Sequence, residues 1–143
     1  MIIMNKILIL IFSIIIFSGC GKTGGSDSPS NSVKDFAMNV KQGNTSKAWS
    51  VLSSDSQTQF DNAAKKRNLS GSEMFQNDYK NVKSLGDLSE DFEVIDEKKD
   101  GDNAQVSVRF ASGKNAVYYA VKEGSGWRYD LAKTNQEMMK LVE

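Results

Sequence analysis

Histidine is absent from this chain, cysteine and proline occur once each, and 18 basic side chains cancel 18 acidic ones. Each shortage excludes something. Without histidine, the commonest general base near neutral pH and the commonest zinc ligand are gone. The single cysteine, Cys20, closes no internal disulfide. A formal charge of zero is the wrong balance for a nucleic-acid binder, which needs a basic excess to neutralise phosphates. It also provides no attraction to an anionic bilayer through charge alone. No cofactor motif stands out, and no cofactor or metal is expected. Gly21-Lys22-Thr23 has the closing residues of a phosphate-binding loop, but Ile16 stands where the earlier glycine belongs. The length, 143 residues, suits one domain.

What is present begins at the amino end. Lys6 precedes an apolar run, Ile7 to Phe17, of eleven residues. As a helix it would measure roughly 16 Å, against about 30 Å for a bilayer core. That is too short for a stable span and suits the apolar region of a secretory signal. Ser18, Gly19 and Cys20 follow. This stretch resembles the lipobox of bacterial lipoproteins, with Phe17 where leucine is usual. The resemblance implies cleavage before Cys20, which removes residues 1–19 as a signal peptide. It also implies a diacylglyceryl group on the Cys20 thiol and acylation, palmitate included, of the new amino terminus. Two or more acyl chains anchor a protein stably where one does not. The expected location is the bacterial cell envelope, with the membrane as partner through the N-terminal lipid. Gly21 is not an aspartate-type retention signal, which permits the outer membrane, on either face, in a Gram-negative cell. In a cell with one membrane, the outer face of the plasma membrane is expected.

Residues 20–31 are small and polar and contain Pro29. They read as a flexible tether that the fold does not need. A single α+β domain is expected over 32–143. Ser32 is the expected cap of a first helix, with Val33, Phe36, Ala37 and Val40 on one face and Gly43 at its end. Thr45 is the expected cap of a second helix with Ala48, Trp49, Val51 and Leu52. Ser56 opens a third with Phe60, Ala63 and Ala64. Ser72 opens a fourth with Phe75, Tyr79 and Val82. The basic run Lys65, Lys66 and Arg67 suits the dipole at a helix C-terminus.

After Asp87 the apolar period falls to two, and four strands are expected around Phe92–Ile95, Gln105–Phe110, Val117–Lys122 and Trp127–Leu131. The intervening turns are Asp100-Gly101-Asp102, Ser112-Gly113 and Gly124-Ser125-Gly126. A two-residue turn at 112–113 pairs Val108 with Val117 and Val106 with Tyr119. A three-residue turn at 124–126 pairs Val121 with Tyr129 and Tyr119 with Leu131. Together they describe a four-stranded antiparallel meander with one face against the helices. Met138, Leu141 and Val142 then fall at helical spacing, as a partner-binding helix or a tail folded back on the domain.

Helices followed by a curved meander resemble the small nuclear transport factor 2-like (cystatin-like) domains. "VKQGNTSKAWSVLSSDSQTQF" looks like their first helix pair and "GSGWRYDL" like their final hairpin. The resemblance implies a cone between helices and sheet, which in some relatives holds a small apolar ligand or an acid/base site. The aromatic candidates for such a pocket are Trp49, Phe60, Tyr119, Trp127 and Tyr129. An ordinary packed core is the favoured account of them, because a domain of this size has little spare volume. Asp96 shares the parity of Val94 and is the one weak candidate base; a solvated carboxylate at a fraying strand end is the plainer account. The expected function is a lipid-anchored, non-enzymatic binding or assembly module for an envelope protein. The alternative is a carrier of a small apolar ligand, or a weak acid/base enzyme, using the cone cavity.

Overall fold

The computed structural model describes residues 25–143. Residues 1–24, with the lipobox-like stretch and Cys20, lie outside the described residues. The elements run α1 (Pro29–Lys41), α2 (Thr45–Val51), α3 (Ser54–Lys65), α4 (Gly71–Tyr79), a 3₁₀ segment (Val82–Ser89), β1 (Phe92–Asp100), β2 (Asn103–Phe110), β3 (Asn115–Glu123), β4 (Gly126–Tyr129) and α5 (Leu131–Lys140). The strands form one antiparallel sheet in the order β1-β2-β3-β4. The fold is α+β, as the change of period indicates. Among the described residues no helix is long and apolar enough to cross a membrane.

Each helix starts earlier than the serine or threonine pattern suggests. Ser28, not Ser32, caps α1 by accepting from the Asn31 amide, with Pro29 in the first turn. Ser32 is instead buried inside the helix and donates to the Pro29 carbonyl. Asn44, not Thr45, is the cap residue of α2. Ser53, not Ser56, caps α3. Ser70, not Ser72, caps α4 in a reciprocal pair with Glu73. These hydrogen bonds from Ser70 hold the Glu73 carboxyl below its usual range. Helix α4 stops at Tyr79, so Val82 is exposed in the 3₁₀ segment rather than continuing the buried stripe.

The expected tether is the larger correction. Residues from Gly25 onward are built into the fold. Ser26 forms an antiparallel bridge with Trp127, its hydroxyl donates to the Asp35 carboxylate, and Pro29 is buried. Gly25 and Gly126 touch so closely that a Cβ on Gly25 would stand 2.5 Å from the Gly126 Cα. The domain therefore begins before residue 32.

The sheet's inner face carries Val106, Val108, Phe110, Tyr118 and Tyr129 against Val33, Phe36, Ala37 and Val40 of α1. Strand β3 is one residue out of its expected register on both sides. Val108 pairs with Ala116 and Val106 with Tyr118, while Ala120 pairs with Tyr129. The first turn has three residues, Ala111 to Gly113, with Gly113 at φ 88°. The second has two, Gly124 and Ser125, with Gly124 at φ 64°. The positive φ values are ones that glycine adopts without a Cβ clash. The two errors are opposite and cancel between β2 and β4. Only β3 is inverted, so Tyr118 and Ala120 face inward and Val117, Tyr119 and Val121 face outward.

Two short segments cover the outer edge of β4. Ser26 pairs at Trp127, and Ser53 donates its amide to the Tyr129 carbonyl at 2.9 Å. Arg128 donates to the Ser50 carbonyl at 2.5 Å and lies 3.3 Å from the Glu123 carboxylate, tying the end of α2 to the sheet. Leu131, expected in the last strand, is instead the first residue of α5. Beyond β4, α5 takes over the β3 edge: Asp130 N donates to the Tyr119 carbonyl, and Tyr119 N donates to Thr134 Oγ1 at 3.1 Å. The opposite edge, β1, is broken by a bulge at Ile95 and carries a run of charges, which discourages pairing with another strand.

Candidate functional site

The interior between helices and sheet is largely an aromatic cluster. Phe36 lies 4.8 Å from Tyr129, ring centre to ring centre, and 6.1 Å from Phe75. Phe75 stacks on Tyr79 at 4.7 Å and meets Phe60 edge-on at 5.4 Å. Trp49 touches both Phe60, at 5.9 Å, and Phe75, at 5.5 Å. Such tilted and edge-on contacts add to the burial energy of each ring.

Space remains where this cluster ends. A cavity of about 340 Å³ lies between the 3₁₀ segment, α5 and the inner face of the sheet. Tyr79, Tyr118 and Tyr129 line it, with Leu85, Leu88 and Met138. The exposed members of its rim are Ser84, Gly86, Asn135 and Met138. Sequence and fold explain each placement. Tyr79 is the last residue of α4. Tyr118 points inward because of the three-residue turn before β3. Tyr129 is the last residue of β4, fixed by the Leu52 and Ser53 bridge. Gly86, at φ 57°, kinks the 3₁₀ segment so that Leu85 and Leu88 both turn inward.

The electrostatics of this cavity are those of neutral donors. Burial pushes all three tyrosine hydroxyls above their usual range. The nearby Asp87 carboxylate raises Tyr118 further, and Asp78 raises Tyr79. At Tyr129, Thr134 opposes the rise only in part. A phenol is protonated at physiological pH at its ordinary pKa, and these shifts move the hydroxyls further from ionising. Asp87, at the rim, is paired with Lys114 at 2.5 Å. Among the described residues no lysine or arginine lines the cavity. The arrangement offers hydrogen bonds from neutral hydroxyls to an acceptor on an otherwise apolar molecule.

The residues singled out by sequence are distributed differently. Trp49, Phe60 and Tyr129 belong to one cluster, joined through Phe75 and Phe36. Tyr119 is on the opposite face of the sheet, under the Lys133 ammonium at 5.9 Å from the ring centre. Trp127 is buried, but with Ala104 and Ala120 in a separate small cluster rather than in the main core. Asp96 does not point inward. The bulge at Ile95 shifts the parity, so Asp96 pairs with Ser107, is exposed, and lies 3.7 Å from Lys98. The carboxylate on the inner side is Glu97, opposite Val106. It accepts hydrogen bonds from the amide and hydroxyl of Ser30 in the first turn of α1. Desolvation pushes its pKa up, but the Ser30 hydrogen bonds and Lys99 outweigh this and lower it. It is a structural carboxylate held by a helix N-terminus. Sequence reasoning missed Tyr79 and Tyr118 as cavity residues; the three-residue hairpin at 111–113 is the signal that would have turned Tyr118 inward.

The class this architecture defines is an α+β protein with a layer of helices on an open four-stranded antiparallel sheet. A family profile described as "Domain of unknown function (DUF4878)" matches residues 18–138, and the chain belongs to that family. Comparison with curated proteins and with solved structures gave no significant match.

Proposed function

We propose that this chain is a bacterial lipoprotein, anchored in the cell envelope by lipid on Cys20. Its domain is a non-enzymatic binding module that holds a small, neutral, largely apolar molecule in the tyrosine-lined cavity. The domain then belongs with the cone-shaped, cystatin-like or nuclear transport factor 2-like folds. The observation that carries the binding reading is the cavity of about 340 Å³ with three tyrosines, Tyr79, Tyr118 and Tyr129, on its wall among apolar side chains. The tyrosine hydroxyls donate hydrogen bonds and do not take up protons, which favours holding a ligand over acid/base turnover. A cavity of this size suits a small ligand. The anchor reading rests on the short apolar run ending in Ser18-Gly19-Cys20.

A second reading, a docking module for an envelope protein, is favoured by one observation. Met139, Leu141 and Val142 are exposed on and just after α5. The cavity gives the small-ligand reading the more definite chemistry.

Two measurements test the proposal. The neutral dye N-phenyl-1-naphthylamine should gain fluorescence with the wild-type chain, and Asn135→Trp, at the exposed rim, should reduce that gain at least several-fold without unfolding. Equal dye binding by both chains would exclude this cavity. Labelling with a radioactive fatty acid in cells should mark the wild type and not Cys20→Ala; equal labelling would remove the anchor.

A further inference from the structure

We infer that the domain is held on a short leash with its β1–β2 and β3–β4 hairpins toward the bilayer. The rim of the tyrosine cavity is then at the far end, open to the aqueous phase. This rests on the anchor reading for Cys20. The cavity's ligand is accordingly one that arrives from water, not a lipid drawn from the membrane.

The argument begins with where the chain is first pinned. Ser26 and Trp127 exchange backbone hydrogen bonds of 2.8 Å in both directions. Gly25 sits against Gly126 with no room for a side chain. Five residue steps separate Cys20 from Gly25, so the reach is at most about 17 Å even for a fully extended chain. That is only a little more than the radius of gyration expected for a domain of this length, about 13 Å. The lipid therefore holds the end of the sheet where Gly25 is docked.

That end is defined by the hairpins. Gly126 follows the Gly124-Ser125 turn, and the β1–β2 turn lies beside it, with Lys122 N donating to the Asp102 carbonyl at 2.7 Å. The other end holds the β2–β3 turn. There Ala111 N donates to the Asp91 carbonyl at 2.9 Å, and Lys114 pairs with Asp87. Asp87 lies in the 3₁₀ segment whose residues Ser84 to Leu88 wall the cavity. Strand β3, nine residues long, separates the two ends by roughly 30 Å. The leash is too short to span that length, so the domain cannot turn the cavity end to the bilayer. Charge adds no opposing pull: Lys98, Lys99 and Lys122 at the hairpin end stand among Asp100, Asp102 and Glu123.

The test uses the full chain, lipidated in cells, purified and reconstituted in phosphatidylcholine vesicles that carry a headgroup-labelled acceptor lipid. A Cys20 thiol bearing lipid does not react with a thiol dye, so Ser125→Cys and Ser112→Cys, both at exposed positions, each take one donor dye. Energy transfer should be several-fold stronger from position 125 than from 112. An insert of about twenty Gly and Ser residues after Thr23 should erase the difference. Equal transfer from the two positions without the insert, a reversed order, or a difference that survives the insert would each overturn the inference. Flotation of the wild type with the vesicles is read in parallel. Absence of flotation would overturn the anchor reading and the orientation with it, whereas flotation with equal transfer overturns the orientation alone.

Discussion

Ser26 and Trp127 are hydrogen-bonded to one another as neighbouring strands are, amide to carbonyl at 2.8 Å each way. This one pair extends the sheet past β4 and covers part of an edge that would otherwise offer free amides and carbonyls. It also sets the amino-terminal limit of the folded domain, since Asp35, Ser28 and Glu97 continue the attachment through the next residues.

A chain that begins at Asn31 should therefore be less stable than one that begins at Gly25. It loses the Ser26 bridge, the Ser28 cap and the Ser30 contact to Glu97. At about 1 kcal/mol for the cap and about 1 kcal/mol for each of the two bridge hydrogen bonds and the two from Ser30, the loss is about 5 kcal/mol. Urea denaturation of the two chains measures it; equal midpoints would mean that these contacts contribute nothing.

The outline of the fold was legible in the sequence, and its errors have specific physical sources. The meander, its strand order and the inner residues of β2 and β4 follow from alternation alone. Strand β3 reads equally well on either face, because Val117, Tyr119 and Val121 alternate with Ala116, Tyr118 and Ala120. The turn lengths decide between them, and Ala111-Ser112-Gly113 and Gly124-Ser125 each permit more than one count. The single extra residue at Ile95 exchanged Asp96 for Glu97 on the inner face. The starts of α1, α3 and α4 are displaced because serine recurs around each of them, and the residue that caps is the one whose φ and ψ are extended, not the one nearest the apolar stripe. Residues 25–31 looked like a tether because backbone pairing to β4 leaves no pattern in side-chain hydropathy. For the candidate site, Tyr129 was legible and Tyr79 and Tyr118 were not, because both depend on where an element ends or turns.

The aromatic cluster and the Trp127 cluster should respond differently to truncation. Phe36 is buried and touches Phe75, Tyr79 and Tyr129, so Phe36→Ala should cost about 4 kcal/mol. Trp127 is also buried, yet its buried neighbours are the small residues Ala104 and Ala120, with the Lys99 ammonium 5.7 Å from the ring centre. The 25–26 segment can collapse into the space, and Trp127→Ala should cost nearer 3 kcal/mol. Chemical denaturation ranks the two; a larger loss at Trp127 would mean that the 25–26 segment, pinned by its backbone hydrogen bonds, does not close over the space.

Close approach makes a separate demand at Gly126. A Cβ there would stand 2.5 Å from the Gly25 Cα. Gly126→Val should push the 25–26 segment off the β4 edge while leaving the helices on the sheet. Amide exchange at Ser26 and Trp127 should then become fast, and exchange at Val106 and Val108, in the middle of the sheet, should remain slow. Protection retained at Ser26 would contradict the tight contact.

Glu97 provides a pH signature. Its pKa is lowered in the folded chain, with the hydrogen bonds from Ser30 and the charge of Lys99 outweighing the cost of desolvation. A carboxyl whose folded pKa is below its unfolded value stabilises the fold fully above the unfolded value, about 4.3 for glutamate. That contribution fades as the pH falls through the folded pKa, because the protonated acid no longer accepts hydrogen bonds as a charged group. Glu97→Gln removes the titration and the charge at the α1 N-terminus while keeping the shape. At pH 7 the substitution should lower stability by about 1 kcal/mol, the range for one charge near a helix N-terminus. As the pH falls through the folded pKa the wild type and Glu97→Gln should converge. Thermal melts from pH 7 down into strong acid measure both differences. A gap between the two chains that stays constant across that range would show that Glu97 acts through packing and not through its charge.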